Sequence, residues 1–170
     1  MNKYKNIYLV GLMGSGKTTL GKILSKKLDK QFYDSDQVIE EKLGVDVPMI
    51  FEYEGEVGFR EREKDILNEL VGIQNIVLAT GGGIILSKAN RDLLAKNGIV
   101  IYLKSNQEDL ILRMKNDKTR PLLKDGNIEE IIKKLCKEIE PLYQEIADFE
   151  IMTKNKRIHE VLNEIISVIN

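Results

Sequence analysis

Gly11, Gly14, Gly16, Lys17 and Thr18 stand within the run GLMGSGKTT at residues 11–19 and match the spacing G-x-x-x-x-G-K-[ST]. Each residue type has a mechanical reason to be there. Glycines let the backbone take positive φ and turn its N–H groups toward phosphate oxygens, and a helix beginning near Thr18 adds the partial positive charge of its N-terminus. Lys17 can reach the β- and γ-phosphates, and the Thr18 hydroxyl can ligate Mg²⁺. The expected nucleotide-binding residues are therefore Gly14, Ser15, Gly16, Lys17, Thr18 and Thr19. The apolar run Ile7-Tyr8-Leu9-Val10 in front and the periodic Leu20, Ile23, Leu24 and Leu28 behind supply the strand-to-helix setting that such a loop needs.

What receives the phosphate depends on the groups that share the crevice. Many proteins with this loop hold Mg²⁺ with an aspartate at the end of a second core strand. Here the apolar strand at 76–79 runs into Thr80 and Gly81-Gly82-Gly83 without a carboxylate, so the acidic support has to come from Asp34 or Asp36, at the end of a short strand at 31–33. Asp36 has another use open to it, as the cap of the next helix. Arg60, with Glu63 three residues on, has the spacing of a solvated surface pair on a helix and by itself carries little weight. The three glycines form either a loose turn or a place where a ligand approaches the backbone closely. Arg120 lies in a charged, turn-rich stretch at about 115–126 whose composition suits a mobile lid. It is there either a solvated loop charge or an arginine that swings over the γ-phosphate during transfer. His159 reads as an exposed bystander, and Cys136 as an inert residue at the edge of the core.

Positioning these groups requires a scaffold, and hydrophobic periodicity supplies one. Strands at 7–10, 31–33, 76–79, 99–103 and 149–152 alternate with helices starting near Thr18 and spanning about 37–43, 58–70, 87–96 and 107–114. Pro48-Met49-Ile50-Phe51 and an acidic turn at Glu54-Gly55-Glu56 precede the third of these helices. From Ile128 an apolar stripe continues to Ile146, interrupted by Pro141, and a last amphipathic helix carries Ile158, Val161, Leu162, Ile165, Ile166 and Ile169. Strict alternation without repeat or linker predicts one α/β domain over residues 1–170, with a parallel sheet and right-handed crossovers. Such sheets bind ligands beyond the carboxyl ends of their strands, which is where Asp34, Asp36 and the glycines fall.

Composition narrows the partners. With 170 residues the chain can bury about 70% of the surface its unfolded form would expose, enough for one core. Its 26 basic and 27 acidic residues leave a net charge of −1 and no long basic run, which speaks for a small-molecule partner rather than nucleic acid or a membrane surface. The polar start MNKYKNIYLV gives no signal peptide, and no apolar run approaches the roughly 20 residues of a membrane span, so a cytoplasmic protein is expected. One cysteine and one histidine rule out an internal disulfide and a Cys/His zinc site, leaving oxygen-ligated ions such as Mg²⁺.

Taken together, GLMGSGKTT, FYDSDQ (32–37), GEVGFREREK (55–64), ATGGG (79–83), TRPLL (119–123) and PLYQEIAD (141–148) resemble the shikimate kinases in order and spacing over nearly the whole chain. The resemblance implies a nucleoside-monophosphate-kinase-like three-layer fold with a five-stranded parallel sheet of order 2-3-1-4-5. It implies ATP-dependent phosphorylation of the 3-hydroxyl of shikimate, on the route to aromatic amino acids, by a monomer that uses Mg²⁺. It further implies that Asp36 binds the substrate hydroxyls and Asp34 supports the Mg²⁺ shell with Thr18. Arg60 would pair with the substrate carboxylate, Gly81, Gly82 and Gly83 would line the same pocket, Arg113 would lie against the adenine, and Arg120 would come from the lid. Lys17, Asp36 and Arg120 are thus the expected catalytic residues, and the adenine loop falls within 154–157.

One position departs from the family pattern. Two residues before Pro-Leu-Tyr the family usually has an arginine, a second clamp on the substrate carboxylate, and this chain has Ile139. The apolar stripe of its helix explains Ile139 as core packing. A kinase of the same fold acting on a different hydroxy acid or polyol stays open as the alternative.

Overall fold

The computed structural model of the chain describes residues 5–115 and 127–169. β1 (Asn6–Val10) is buried along its whole length and pairs in parallel with β3 (Ile76–Ala79) on one side and β4 (Gly98–Lys104) on the other. β2 (Gln31–Asp34) continues the sheet beyond β3, and β5 (Phe149–Met152) beyond β4, both in parallel. The order is β2-β3-β1-β4-β5, as expected.

Successive side chains of a strand point to opposite faces, so β1 feeds two cores at once. Tyr8 and Val10 enter one core with Phe59, Ile66 and Leu67 of α3 (Val47–Val71), Leu94 of α4 (Lys88–Asn97) and Ile132 and Tyr143 of α6 (Ile128–Ile146). Ile7 and Leu9 enter the other with Leu20 and Leu24 of α1 (Lys17–Lys27) and Val161, Leu162 and Ile165 of α7 (Ile158–Ile169). With both faces covered, β1, β3 and β4 have no solvent side, so their sequences run continuously apolar. Because the strands are parallel, β1 ends in the glycine-rich loop, β2 in Asp34 and β3 in Thr80 and the three glycines along one edge of the sheet.

Two helices, α2 (Ser35–Leu43) and α5 (Gln107–Lys115), flank that edge. Three local expectations change. α3 begins well before the expected residue 58: Asp46 caps it by accepting the Met49 N–H at 3.0 Å, and Pro48 sits in the first turn, where its missing N–H has no helical partner to lose. The acidic turn shrinks to Gly55 alone, whose φ of 68° and ψ of −176° break α3 into two stretches. α6 is not interrupted at Pro141 but runs through it, with Ile132, Cys136, Ile139 and Tyr143 keeping one buried stripe. Pro141 and the residue one turn before it, Lys137, both lie on the exposed side, so the hydrogen bond that proline forgoes is on the side open to water. A short 3-10 helix, Ile84–Leu86, comes after the glycines and buries Ile84 and Ile85 completely.

The expected lid and Arg120 within it fall in residues 116–126, outside the described residues. Among the described residues no helix is long and apolar enough to cross a membrane.

Gly55 gives a direct test of the break in α3. Its backbone conformation is one that essentially only glycine adopts, and nothing lies within 4 Å of a Cβ added there, so the strain is purely conformational. Gly55→Ala is expected to lower unfolding free energy by about 1–3 kcal/mol in urea titration. An alanine variant as stable as the parent would contradict this conformation.

Candidate active site

The phosphate-facing end is built by β1 handing the chain to α1. Gly16 occupies the N-cap of α1 at φ 91° and ψ 13°, a left-handed conformation that a side chain resists. Among the described residues no side chain caps this end, which leaves it suited to receive an anion. The Lys17 ammonium is buried and folded over the loop, donating to Gly11 O at 2.7 Å, Leu12 O at 2.9 Å and Ser15 Oγ at 3.3 Å. These are neutral acceptors, which a phosphate oxygen would outcompete because charge-assisted bonds are the stronger ones.

Next to Lys17, the Thr18 hydroxyl donates to Asp34 Oδ2 at 2.6 Å. The other Asp34 oxygen, Oδ1, accepts the backbone N–H groups of Asp36 at 3.0 Å and Gln37 at 3.3 Å, which caps α2. The capping role open to Asp36 by its position therefore belongs to Asp34, while Asp36 occupies the first turn of α2. Thr18 and Asp34 present hard oxygen donors at the mouth of the loop. Mg²⁺ takes one or two protein oxygens and fills the rest of its shell with water and phosphate, so this pair fits it. Among the described residues no cluster of three or more His, Cys, Asp or Glu offers a fuller cage.

Three cavities meet along this edge. One of about 360 Å³ is lined by Gly14, Ser15, Gly16, Thr19 and Arg113, together with Thr153 and Lys156 from the loop before α7. Arg113 Nη1 also donates to Gly14 O at 2.5 Å, tying α5 to the glycine-rich loop. A second, of about 170 Å³, holds Lys17, Thr18, Asp34, Asp36, Thr80, Gly81 and Gly82 around the loop itself. The third, of about 410 Å³, is lined by Asp34, Asp36, Arg60, Glu63 and all three glycines. Asp36 and Gly81 belong to both of the last two cavities, so a phosphate in one and a hydroxyl in the other would meet there. A nucleotide on one side and a small polar acceptor on the other is what this geometry can bring together.

Glu63 is legible in the sequence only as the i+3 neighbour of Arg60 on a solvated face. The structure instead buries it, 1% exposed, with Oε2 accepting from Arg60 Nη1 at 2.9 Å. Burial pushes its carboxyl up to about 7, and the Arg60 charge only partly opposes the rise. Its second oxygen, Oε1, has no hydrogen-bond partner among the described residues and lies beside Gly81, where an added Cβ would be 2.9 Å away, and 2.6 Å from Asp36 Oδ1. Arg60 lies flat against Gly83, so close that a Cβ there would be 2.2 Å from Nη2 and 2.3 Å from Nη1. The glycine run is thus a place of close approach rather than a loose turn. It is held from behind: Thr80 donates through N and Oγ1 to Leu9 O, Gly81 N donates to Ser35 Oγ at 2.8 Å, and the fully buried Tyr143 donates its hydroxyl to Gly82 O at 2.5 Å.

A family model described as shikimate kinase matches residues 13–170. The chain belongs to the shikimate kinase family. The shikimate kinase of Nitrosococcus oceani is 52% identical over 161 residues, covering 95% of this chain and 85% of that protein. That of Thiobacillus denitrificans is 49% identical over 158 residues, covering 93% and 86%. Among solved structures, the shikimate kinase of Acinetobacter baumannii in complex with shikimate superposes with a TM-score of 0.94 at 47% identity, over 97% of this chain and 92% of that one.

Within this shikimate kinase fold, Gly14, Ser15, Gly16, Thr19 and Arg113 gather in the first cavity, Lys17, Thr18, Asp34 and Asp36 in the second, and Asp36, Arg60, Gly81, Gly82 and Gly83 in the third. Arg120 lies outside the described residues. In the loop expected against the base, Lys156 lines the first cavity, and so does Thr153, one residue before the expected stretch. Ile139 is buried in the α6 stripe, in keeping with its apolar neighbours. Glu63 and Tyr143 are site residues that sequence reasoning misses. Their signal is present, as an acidic residue inside GEVGFREREK and a tyrosine inside PLYQEIAD, but spacing cannot show that one is buried beside Asp36 and the other bonded to Gly82.

The Arg60 and Glu63 contacts can each be tested by substitution. In Gly83→Ala the methyl group displaces the Arg60 guanidinium and with it the bond to the buried Glu63, so thermal stability should fall. KM for the phosphate acceptor should also rise about tenfold or more in steady-state kinetics, the value of a lost charged hydrogen bond. Unaltered KM would mean that Arg60 does not face the acceptor. Glu63 has its carboxyl raised from the ordinary 4.5 to about 7 in the folded protein, so the native state holds a proton that the unfolded chain has released. Its contribution to stability is then full below about 4.5 and is lost as pH rises through about 7. Denaturant titrations at a series of pH values should show Glu63→Gln gaining on the parent across that window, and a constant difference would contradict the buried, proton-holding state.

Proposed function

We propose that the protein transfers the γ-phosphoryl group of ATP to the 3-hydroxyl of shikimate, giving shikimate 3-phosphate and ADP. The observation that carries this reading is the shared wall of the phosphate cradle and the acceptor cavity at Asp36 and Gly81. Membership of the shikimate kinase family and the 47%-identical neighbour that holds shikimate supply the acceptor's identity.

Phosphoryl transfer leaves the protein mainly with positioning and with stabilising charge. The open N-terminus of α1 and the loop N–H groups receive the β- and γ-phosphates. Lys17 leaves the carbonyls of Gly11 and Leu12 for phosphate oxygens, and its charge then counts most as the γ-group loosens from ADP. Asp36, in the first turn of α2, orients the 3-hydroxyl and takes its proton. Arg60, held by Glu63 and pressed on Gly83, faces the carboxylate of shikimate, while Gly81, Gly82 and Gly83 form the floor. Thr18 and Asp34 would hold Mg²⁺, which would supply positive charge against the phosphates. Gly14 to Gly16, Thr19 and Arg113 take the rest of the nucleotide. Arg120, from a lid at about 115–126, is assigned to the γ-phosphate on the strength of the sequence resemblance. The proposal extends to one kinase domain over residues 1–170, working as a cytoplasmic monomer without nucleic-acid or membrane partners.

Coupled ADP release with shikimate, set against a panel of hydroxy acids, polyols and nucleosides, tests the reading. Shikimate is expected to give the highest kcat/KM, and a better acceptor elsewhere in the panel would overturn it. In Lys17→Met, kcat is expected to fall more than about a hundredfold with the fold intact by circular dichroism, because the lost charge acts mostly on the transition state. Activity within about threefold of the parent would contradict this use of the loop.

A further inference from the structure

Beside the acceptor cavity lies another of about 350 Å³, which shares Met13, Arg60, Gly82 and Gly83 with it and opens toward α6. The Arg60 guanidinium therefore borders both spaces. Its outer nitrogens are already engaged: Nη1 binds the buried Glu63 at 2.9 Å, and Nη2 reaches Glu56 at 3.4 Å. A carboxylate brought to Arg60 meets a guanidinium whose Nη1 and Nη2 already have glutamate partners. Among the described residues that line the two cavities, the other cation is Lys134, on α6. Lys134 is exposed and makes no hydrogen bond or ion pair among the described residues. Lys134 lines this cavity together with Gly82, Gly83 and Ile139, the position at which the family pattern has its second arginine. Ile139, Leu135 and Leu86 make that wall apolar, which strengthens any charge pair formed against it.

We propose that Lys134 is a specificity-determining residue that shares the acceptor's carboxylate with Arg60 across this second cavity. It supplies the positive charge that Arg60, spent on Glu63 and Glu56, cannot supply alone. Glu138, which lines the same cavity one turn after Lys134, is its internal rival: a carboxylate at that spacing weakens the positive field that the ammonium offers an acceptor. The inference rests on shikimate being the acceptor, and its test separates the two.

The test is steady-state kinetics of the full chain with shikimate and with methyl shikimate, whose ester has the same ring and hydroxyls but no negative charge. Lys134→Met keeps a good helix former at an exposed position, so folding is not at stake. KM for shikimate is expected to rise about fivefold in Lys134→Met with a smaller change in kcat, to stay within about twofold of the parent in Lys134→Arg, and to fall in Glu138→Gln. On methyl shikimate the parent and Lys134→Met should have the same KM. An unmoved KM for shikimate in Lys134→Met overturns the assignment, and so does an equal rise on the ester, which would mark a role in shape rather than charge. A parent that fails to phosphorylate shikimate at all would overturn the proposed function along with it, and shows itself before any variant is compared.

Discussion

The carboxylate of Asp34 joins the two halves of the site. One oxygen accepts a hydrogen bond from the hydroxyl of Thr18 at the start of α1, and the other accepts from the first free N–H groups of α2. A capping bond of this kind is worth about 1 kcal/mol, a modest amount for stability but a strong constraint on direction. It fixes the start of α2 and leaves Asp36 in its first turn, beside Gly81. The parallel sheet makes the arrangement possible by ending β1, β2 and β3 on one edge. Asp34 then makes it specific by linking the end of β2 to the helix that continues from β1.

On the acceptor side the controlling fact is the burial of Glu63. A carboxyl taken out of water beside Asp36 stays charged only with help, and Arg60 provides part of it. In return Glu63 holds the guanidinium flat on Gly83, where no side chain could stand. Tyr143, stacked on Tyr102 and bonded to Gly82 O, fixes the glycines from the far side. The pocket is thus rigid where it touches the backbone. Its adjustable parts are the exposed groups at its edge, Glu56, Lys134 and Glu138.

Much of this is legible in the residues alone. Continuous apolar runs at 7–10, 76–79 and 99–103 can be satisfied only by a sheet covered on both faces, and the glycine-rich loop locates its own strand and helix. The residues that come together, Lys17, Thr18, Asp34, Asp36, Arg60 and Gly81 to Gly83, mostly stand at strand ends or in helix first turns, where spacing speaks directly. The hidden part depends on the third dimension. Pro141 reads as an interruption because its cost depends on which side of α6 meets water. Gly55 reads as part of a turn because one residue of left-handed backbone is enough to bend a helix that otherwise continues. Glu63 reads as solvated because its helix turns that face toward Asp36 rather than outward, and Lys134 gives no signal because its cavity is assembled from separate segments of the chain.

The dual use of Asp34 is the centre of this account, and one substitution separates its two uses. Asparagine caps helices as well as aspartate does but carries no charge for a metal. Calorimetric titration of an ATP analogue into Asp34→Asn, with and without Mg²⁺, is the direct measurement, with urea unfolding on the same samples. Stability within about 1 kcal/mol of the parent, together with loss of the Mg²⁺-dependent gain in nucleotide affinity, is the predicted result. A Mg²⁺-dependent gain as large as the parent's would contradict it.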